Sequence, residues 1–226
     1  MITTVVFDLD DTLYDEIEYC RSGFAAVAEF LAGRTGTPAR RIFAALWRQF
    51  TSGNRSRTFN AALDELGIDY DDGRIIELVS IYRNHVPTLA LPPDSRDVLA
   101  ELSTKYTLAL LTDGFLPAQQ LKVQALGIEG YFKSIVYTEQ LGRECWKPSP
   151  KGFEQIMQTL GARPENTVYV ADNEEKDFIA PNGLGMVTVQ VVRPARIPRS
   201  ACTAAGAAAG HVIHRISQLP GLLEGL

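Results

Sequence analysis

Residues 4–14 read TVVFDLDDTLY, and the interpretation of the whole chain starts from this stretch. A short apolar run leads directly into three carboxylates, Asp8, Asp10 and Asp11. Clustered acids repel one another and cost free energy to desolvate, so a structural role alone rarely explains them. The pattern predicts a buried strand that ends at a site for a cation, or for chemistry that needs several carboxylates.

Similar apolar runs recur along the chain, and helical patterns separate the later ones. The predicted strands are 2–7, 106–112, 134–138, 167–171 and 186–192, and the predicted helices are 94–104, 116–127, 150–161 and 174–184. Strands of almost continuous apolar character are typical of a sheet that is covered on both faces. The alternation therefore predicts a Rossmann-like parallel α/β core with helices on both faces. The small-residue stretch 200–210 predicts a surface loop, and a short strand and a closing helix follow it.

Residues 15–90 interrupt this alternation. They contain no convincing strand pattern, and apolar residues recur there at helical spacing in four segments: 19–34, 38–50, 57–68 and 73–86. We therefore predict two domains. Residues 1–14 and 91–226 form the α/β core, and residues 15–90 form an inserted, all-helical domain.

Composition and charge exclude several classes of partner. The net charge of the 226 residues is −5 and no basic run stands out, which argues against nucleic acid or an anionic membrane. The chain opens on a strand pattern rather than a signal peptide, and no apolar run approaches membrane-spanning length. Cysteines stand at only three distant positions, so a disulfide framework is not expected and a cytoplasmic location fits. The sequence leaves the oligomeric state open.

Polar clusters stand where predicted strands end. Residues 8–12 follow the first strand, residues 112–114 follow the second, and residues 172–177 follow the strand at 167–171. Residues 147–150 precede a predicted helix. Ligands of open parallel sheets bind beyond the carboxyl ends of the strands, so we expect these four clusters to converge at one edge.

These clusters read DLDDT, TDG, KPSP and DNEEKD, and in this order they resemble the motifs of haloacid dehalogenase (HAD) superfamily hydrolases with an inserted helical cap. The resemblance covers nearly the whole chain, although the insert matches only in position and helical character. It implies a Mg²⁺-dependent phosphomonoester hydrolase whose substrate is a small phosphorylated metabolite, such as a nucleotide or a sugar phosphate. It also implies that the cap closes over the site, excludes bulk water and selects the substrate.

The resemblance implies catalytic roles for three residues. Asp8 is the nucleophile that forms an aspartyl-phosphate, which divides one difficult displacement into two easier ones. Asp10 is the acid/base that protonates the leaving alkoxide and then takes a proton from the attacking water. Lys147 neutralises the phosphoryl group together with Asp8.

The resemblance also implies a phosphate site and a metal site. The phosphoryl oxygens are bound by the hydroxyl of Thr112 and the backbone N–H groups of Asp113 and Gly114. Mg²⁺, which favours oxygen ligands, is held by Asp8, the backbone carbonyl of Asp10, and Asp172. Asp177 and Asn173 are supporting residues, with Asp177 ordering the surroundings of the metal.

Some positions depart from the family pattern. Asp113 stands where Asn is frequent, and we expect only its backbone to act. Asp11 replaces a common Gly, which alters the turn that leads to the insert. Trp146 is an unusual neighbour for Lys147 and is expected to shape the pocket wall.

Alternatives to a phosphatase remain open. A 2-haloacid dehalogenase would use the same nucleophile, but dehalogenases of the family usually lack the acid at position 10. A phosphomutase would use the same site and must shield the aspartyl-phosphate from water. Phosphonate hydrolysis needs a lysine in the cap, and residues 15–90 contain none. A non-catalytic binding protein on the same fold could lose the nucleophile, the acid or the lysine, yet all three are present.

The insert itself carries weaker signals. Arg55 and Arg57 are interpreted as solvated loop residues, with substrate contact as the alternative. Phe43, Trp47 and Phe50 recur at helical spacing and are predicted to form the core of the insert. A metal pair at positions 211 and 214 is not favoured, because residues three apart in a strand point to opposite faces.

Overall fold

A computed structural model describes residues 1–197, 202 and 204–226 of the chain. The chain forms two compact units, and one of them is made of two segments. Met1–Ile17 and Ala90–Leu226 form the first, which we call the α/β unit, and Glu18–Leu89 forms the second, which we call the helical unit. The boundaries predicted from the sequence fall after residues 14 and 90.

A six-stranded sheet organises the α/β unit. Its strands are β1 (Thr4–Phe7), β2 (Thr107–Thr112), β3 (Ser134–Tyr137), β4 (Thr167–Ala171), β5 (Val187–Val191) and β6 (His211–Ile213). The order across the sheet is β3-β2-β1-β4-β5-β6, and every neighbouring pair is parallel. This order is that of a doubly wound Rossmann-type sheet, so the predicted fold class is confirmed.

The helical unit contains no strand anywhere in 18–89, all of which the structure describes. Its helices are α1 (Glu16–Thr35), α2 (Ala39–Thr51), α3 (Thr58–Leu66) and α4 (Asp72–Asn84). Gly23 of α1 permits a close approach of α4, because a Cβ there would stand 2.5 Å from the ring of Tyr82. Phe50 is buried as predicted, but Phe43 and Trp47 are only half-buried and stack on each other at 5.9 Å.

The remaining helices belong to the α/β unit. They are α5 (Pro93–Leu102), α6 (Ala118–Leu126), α7 (Lys151–Leu160), α8 (Ile179–Leu184) and α9 (Leu219–Glu224). The chain runs outward from β1 to β3 and then returns to continue from β4 on the other side of β1. Because parallel crossovers are right-handed, α7 and α8 pack on one face of the sheet and α5 and α6 on the other, where α9 packs against α5. Among the described residues, no helix is long and apolar enough to cross a membrane.

The centre of the sheet is fully buried. Val5, Val6 and Phe7 of β1 are at most 1% exposed, and the neighbouring residues Val168 and Val170 of β4 are at 0%. Burial of each such side chain contributes about 1.5–3 kcal/mol relative to exposure. The order in which the chain adds strands reverses between β1 and β4, and ligands of such sheets bind in the crevice at this switch point.

One predicted helix differs in the structure. The helix predicted for 174–184 begins only at Ile179, because 174–178 form a turn. In that turn the backbone N–H of Asn173 donates to Oδ2 of Asp177, and the backbone N–H of Asp177 donates to the carbonyl of Asn173, both at 2.9 Å. The bond to the Asp177 side chain gives the backbone of this turn a partner outside a regular helix, and the helix starts only after it. The predicted loop at 200–210 lies partly outside the described residues.

Candidate active site

Three buried carboxylates meet at the crevice between β1 and β4. Asp8 follows β1, and its backbone N–H donates to the carbonyl of Val170 at 2.9 Å, which fixes it against β4. Asp172 follows β4, and Asp177 stands in the turn beyond it. One carboxylate oxygen from each of the three acids lies within 4.8 Å of the others, and the three residues are at most 4% exposed. The expected proximity of Asp8 and Asp172 is therefore present, and Asp177 adds a third acid.

The ammonium of Lys147 lies inside this group. Its Nζ is 2.6 Å from Oδ1 of Asp8, 2.7 Å from Oδ1 of Asp177 and 3.0 Å from the hydroxyl of Tyr169. Burial raises the pKa of the Asp8 carboxyl to about 6, although Lys147 opposes this rise. Burial would lower the pKa of Lys147, but the carboxylates of Asp177 and Asp8 raise it well above its usual value. Lys147 is therefore a permanent cation beside Asp8.

Both oxygens of Asp177 are engaged by protein groups. Oδ1 faces Lys147, and Oδ2 accepts the hydrogen bond from the backbone of Asn173. The side chain of Asn173 in turn accepts from the backbone N–H of Glu175 at 3.0 Å. These contacts fix the turn after β4. Asp177 therefore holds Lys147 and the backbone of Asn173 in place.

The TDG segment after β2 is held from two sides. The hydroxyl of Thr138 donates to the carbonyl of Thr112 at 3.3 Å and to Oδ1 of Asp113 at 2.8 Å. The amide of Gln119 donates to the hydroxyl of Thr112 at 2.6 Å. Gly114 has φ 140°, and a Cβ there would stand 2.9 Å from Gln119, so this turn requires glycine. The segment is thereby fixed next to the crevice.

The side chain of Asp113 has three donors, a contact set that the sequence did not predict. It accepts from Thr138, from the backbone N–H of Lys147 at 3.3 Å and from Nζ of Lys176 at 3.2 Å. Burial acts to raise the pKa of Asp113, but Lys147 and Lys176 hold it below the usual value. Asp113 thus joins three loops of the site through its side chain as well as its backbone.

Asp10 lies in a separate cluster of contacts. Nζ of Lys122 is 2.8 Å and 2.9 Å from its two carboxylate oxygens, and the amide of Gln119 donates to Oδ2 at 2.9 Å. The hydroxyl of Tyr14 donates to Oδ1. Burial alone would raise the pKa of Asp10, but Lys122 and these hydrogen bonds hold it below its usual value. Asp10 is therefore an ionised group with a fixed orientation.

Sequence reasoning missed several of these residues. Gln119 and Lys122 stand three apart on α6 and so share one face of that helix, where both are buried. The polar residues at this helical spacing were the one signal in the sequence that could have indicated their contact with the site. Lys176 was inside a quoted motif but had no assigned role. Tyr169 lies within an apolar strand and gave no signal.

Asp11 adopts a backbone conformation that explains why Gly is common at this position. Its φ is +54°, in the left-handed region that Gly, Asn and Asp tolerate best. The fully buried carboxylate accepts from the backbone N–H of Glu16 at 2.9 Å and from that of Ile197 at 3.0 Å. These two hydrogen bonds offset the backbone strain.

Two aromatic residues flank the TDG and KPSP motifs. Phe115 follows Gly114 and Trp146 precedes Lys147, and their rings meet edge to face at 5.4 Å. The indole N–H of Trp146 donates to Glu139 at 3.0 Å. Both rings are half-buried, so Trp146 belongs to a small aromatic ridge beside the site.

The chain is similar in sequence to known phosphatases. A curated relative from Methanopyrus kandleri, glyceraldehyde 3-phosphate phosphatase, is 32% identical over 203 residues and is matched over 85% of each chain. Phosphoserine phosphatase of Thermus thermophilus is 26% identical over 226 residues, which cover 85% of this chain and 89% of that one. The proteins similar to this chain thus include phosphatases of two different substrates.

A solved structure extends the comparison to the fold. The 2-haloacid dehalogenase from Pseudomonas syringae pv. Tomato has a TM-score of 0.66 and 25% sequence identity, over 100% of this chain and 99% of that one. Residues 2–185 match the sequence model of a hydrolase family described as haloacid dehalogenase-like hydrolase. The chain is therefore a hydrolase and belongs to the haloacid dehalogenase-like hydrolase family.

Proposed function

We propose that this hydrolase is a Mg²⁺-dependent phosphatase that cleaves a small phosphorylated metabolite through an aspartyl-phosphate on Asp8. The observation that carries the proposal is the contact between the Asp8 carboxylate and the Lys147 ammonium, at 2.6 Å, within a group of three buried acids. The relatives named as phosphatases support a phosphate ester as the bond that is broken.

In the first half of the reaction, an oxygen of Asp8 forms a bond to phosphorus while the bond from phosphorus to the leaving-group oxygen breaks. Lys147 keeps the nucleophile ionised and balances the charge of the phosphoryl oxygens. Asp10 gives a proton to the departing alkoxide. Asp10 is ionised in the resting site, but the negative charge of a bound phosphoryl group raises its affinity for the proton that it must deliver.

In the second half, water attacks phosphorus and the bond from phosphorus to Asp8 breaks, which releases phosphate. Asp10 takes the proton from that water. Its anchored, ionised form suits this role, because Lys122 and Gln119 hold a carboxylate oxygen in one orientation. We assign the phosphoryl oxygens to the hydroxyl of Thr112 and to the backbone N–H groups of Asp113 and Gly114.

The donor set fits Mg²⁺. Three carboxylate oxygens within 4.8 Å repel one another, and hard oxygen ligands are those that Mg²⁺ favours. We assign the metal to Asp8, Asp172 and the backbone carbonyl of Asp10. Asp177 is an ordering residue, because its two oxygens already face Lys147 and Asn173. When bound, the ion would offset the charge of the carboxylates and of the phosphoryl group.

We further propose that the inserted helical domain acts as the cap that selects the substrate. The three free cysteines, Cys20, Cys145 and Cys202, support a reducing cytoplasmic location. The acidic chain and its phosphatase relatives support a small anionic substrate in preference to nucleic acid or a membrane.

A dehalogenase is the second candidate, because a 2-haloacid dehalogenase has the same fold over the full chain. Such an enzyme attacks carbon with the same Asp8 and releases halide. It has no leaving alkoxide to protonate, so the four hydrogen bonds that fix the Asp10 carboxylate would have no use. This argument favours the phosphatase.

The test is phosphate release from a panel of nucleotides, sugar phosphates and small organic phosphates, with and without Mg²⁺, alongside halide release from 2-chloropropionate. We expect Mg²⁺-dependent phosphate release that is lost in Asp8→Asn. Halide release without phosphate release would establish the dehalogenase instead. Neither activity, in folded protein that binds Mg²⁺, would contradict both and favour a mutase or a binding role.

A further inference from the structure

The helical unit contains an aromatic cavity of its own. Its volume is about 280 Å³, and it lies among α1, α3, α4 and the end of α2. Four rings line it, those of Phe24, Phe50, Phe59 and Tyr82. The ring centroid of Phe24 lies 5.4 Å from that of Phe50, 6.1 Å from that of Phe59 and 5.3 Å from that of Tyr82. The apolar wall is therefore a continuous aromatic surface.

The volume limits what the cavity can hold. An engineered apolar cavity of about 150 Å³ is known to accept benzene, so the present cavity has room for a ring together with a substituent. It lies just below the size range of drug-sized ligand sites, roughly 300–1,000 Å³. A small molecule therefore fits the cavity.

Charge gives the second constraint. Arg55 and Arg83 line the cavity together with the polar residues Ser56 and Asn60. Within the helical unit, which the structure describes completely, no Asp or Glu contributes to this lining. The guanidinium of Arg55 lies 5.6 Å from the ring centroid of Phe50, which keeps a cation at the edge of the aromatic wall. A cationic rim on an aromatic wall matches an anion that carries an apolar body.

We propose that this cavity binds a small organic anion. Its ring or apolar chain packs among the four aromatic rings, and its carboxylate or phosphate is bound by Arg55 and Arg83. The anion has two possible sources: the leaving group of the substrate, or a separate effector. The binding proposal does not depend on the phosphatase activity.

The first experiment measures binding alone. Calorimetric titrations of metal-free Asp8→Asn protein use benzoate and its neutral counterpart, benzyl alcohol. We expect benzoate to bind about tenfold or more tightly than benzyl alcohol, and Arg55→Met or Arg83→Met to weaken benzoate about tenfold. Arg57→Met, an exposed arginine of the same loop that does not line the cavity, is the matched control and leaves binding unchanged.

Three results would overturn the proposal. They are the absence of benzoate binding, equal affinity for benzoate and benzyl alcohol, and an equal loss in Arg55→Met and Arg57→Met. Arg55 is exposed, so Arg55→Met decides the matter even where Arg83→Met disturbs folding.

A kinetic arm separates the two sources. It compares 4-carboxyphenyl phosphate with phenyl phosphate in the wild type and in Arg55→Met. A leaving-group site predicts a higher KM in the variant for the carboxylated ester only, and competition by benzoate. An effector site predicts that benzoate changes kcat for phenyl phosphate without competing. If the wild type hydrolyses neither ester but still binds benzoate, the phosphatase proposal is contradicted and the binding proposal stands.

Discussion

Asp8 and Asp10 stand two residues apart after the same strand, yet their surroundings drive their protonation in opposite directions. Burial raises the pKa of Asp8 to about 6, and it shares Lys147 with Asp177. Lys122 contacts both carboxylate oxygens of Asp10, and despite burial the pKa of Asp10 is lowered. Pairs of carboxyls whose environments move their pKa values apart are candidates for different roles. Burial acts on both acids alike, so the comparison teaches that the neighbouring charges separate their pKa values.

The largest effect is expected from substitution of Asp8, the first residue of the comparison. Asp8→Asn replaces the carboxylate with a neutral amide that is a poor nucleophile, so we expect kcat to fall by at least about 10⁴-fold. No phosphorylated protein should appear in rapid-quench mass spectrometry. Asp97→Asn, a change of an exposed acid, is the matched control. Substantial residual turnover in Asp8→Asn would assign the nucleophile elsewhere.

Asp10→Asn sharpens the comparison by removing only the proton carrier. We expect kcat to fall by about 10²–10⁴-fold, because that is the usual contribution of general acid–base catalysis. With p-nitrophenyl phosphate, whose leaving group needs little protonation, phosphoprotein should accumulate on Asp8. An unphosphorylated Asp10→Asn enzyme would show that the two residues do not act in separate steps.

Lys122→Met breaks the environment of Asp10 while keeping both acids. An unpaired buried charge remains, so we expect a loss of about 3–5 kcal/mol in the free energy of unfolding, measured by urea denaturation. We also expect kcat to fall about tenfold or more with little change in KM. Lys133→Met, at an exposed position, should alter neither quantity. Unchanged kcat in folded Lys122→Met would mean that Lys122 does not position Asp10.

Tyr14→Phe makes a smaller change in the same cluster. It removes one hydrogen bond to a charged oxygen, which contributes about 1.5–3 kcal/mol, and leaves Lys122 and Gln119 in position. We expect kcat to fall less than in Lys122→Met. A larger fall than in Lys122→Met would identify the hydroxyl, rather than the ammonium, as the main anchor.

The smallest effect belongs to Lys176→Met. The Lys176 side chain is 32% exposed, so solvent screening limits its ion pair with Asp113 to about 1 kcal/mol or less. Asp113→Asn and the double variant complete a thermodynamic cycle by thermal unfolding. A coupling free energy well above about 1 kcal/mol would show that the pair acts as a buried one.

The sheet could be predicted from the sequence, because its strands are short and almost continuously apolar. Such runs are typical of strands that are covered on both faces. Helix α8 was predicted five residues too long, because the pattern does not reveal that Asp177 accepts from the backbone of Asn173. Lys147 was identified through its motif. Lys122 was not, because its role depends on which face of α6 turns towards Asp10, and that rotation is fixed by tertiary packing.

The pairing of β1 with β4 also has a consequence for the order in which the protein becomes functional. Phe7 is in register with Val170, so Asp8 meets Asp172 only after a loop of about 160 residues has closed. Contacts of such long range form late compared with those inside helical segments. During synthesis Asp8 emerges well before Lys147 and the acids after β4, which follow it in the sequence by about 140 residues or more. A nascent chain that extends only as far as β3 therefore carries Asp8 without these partners.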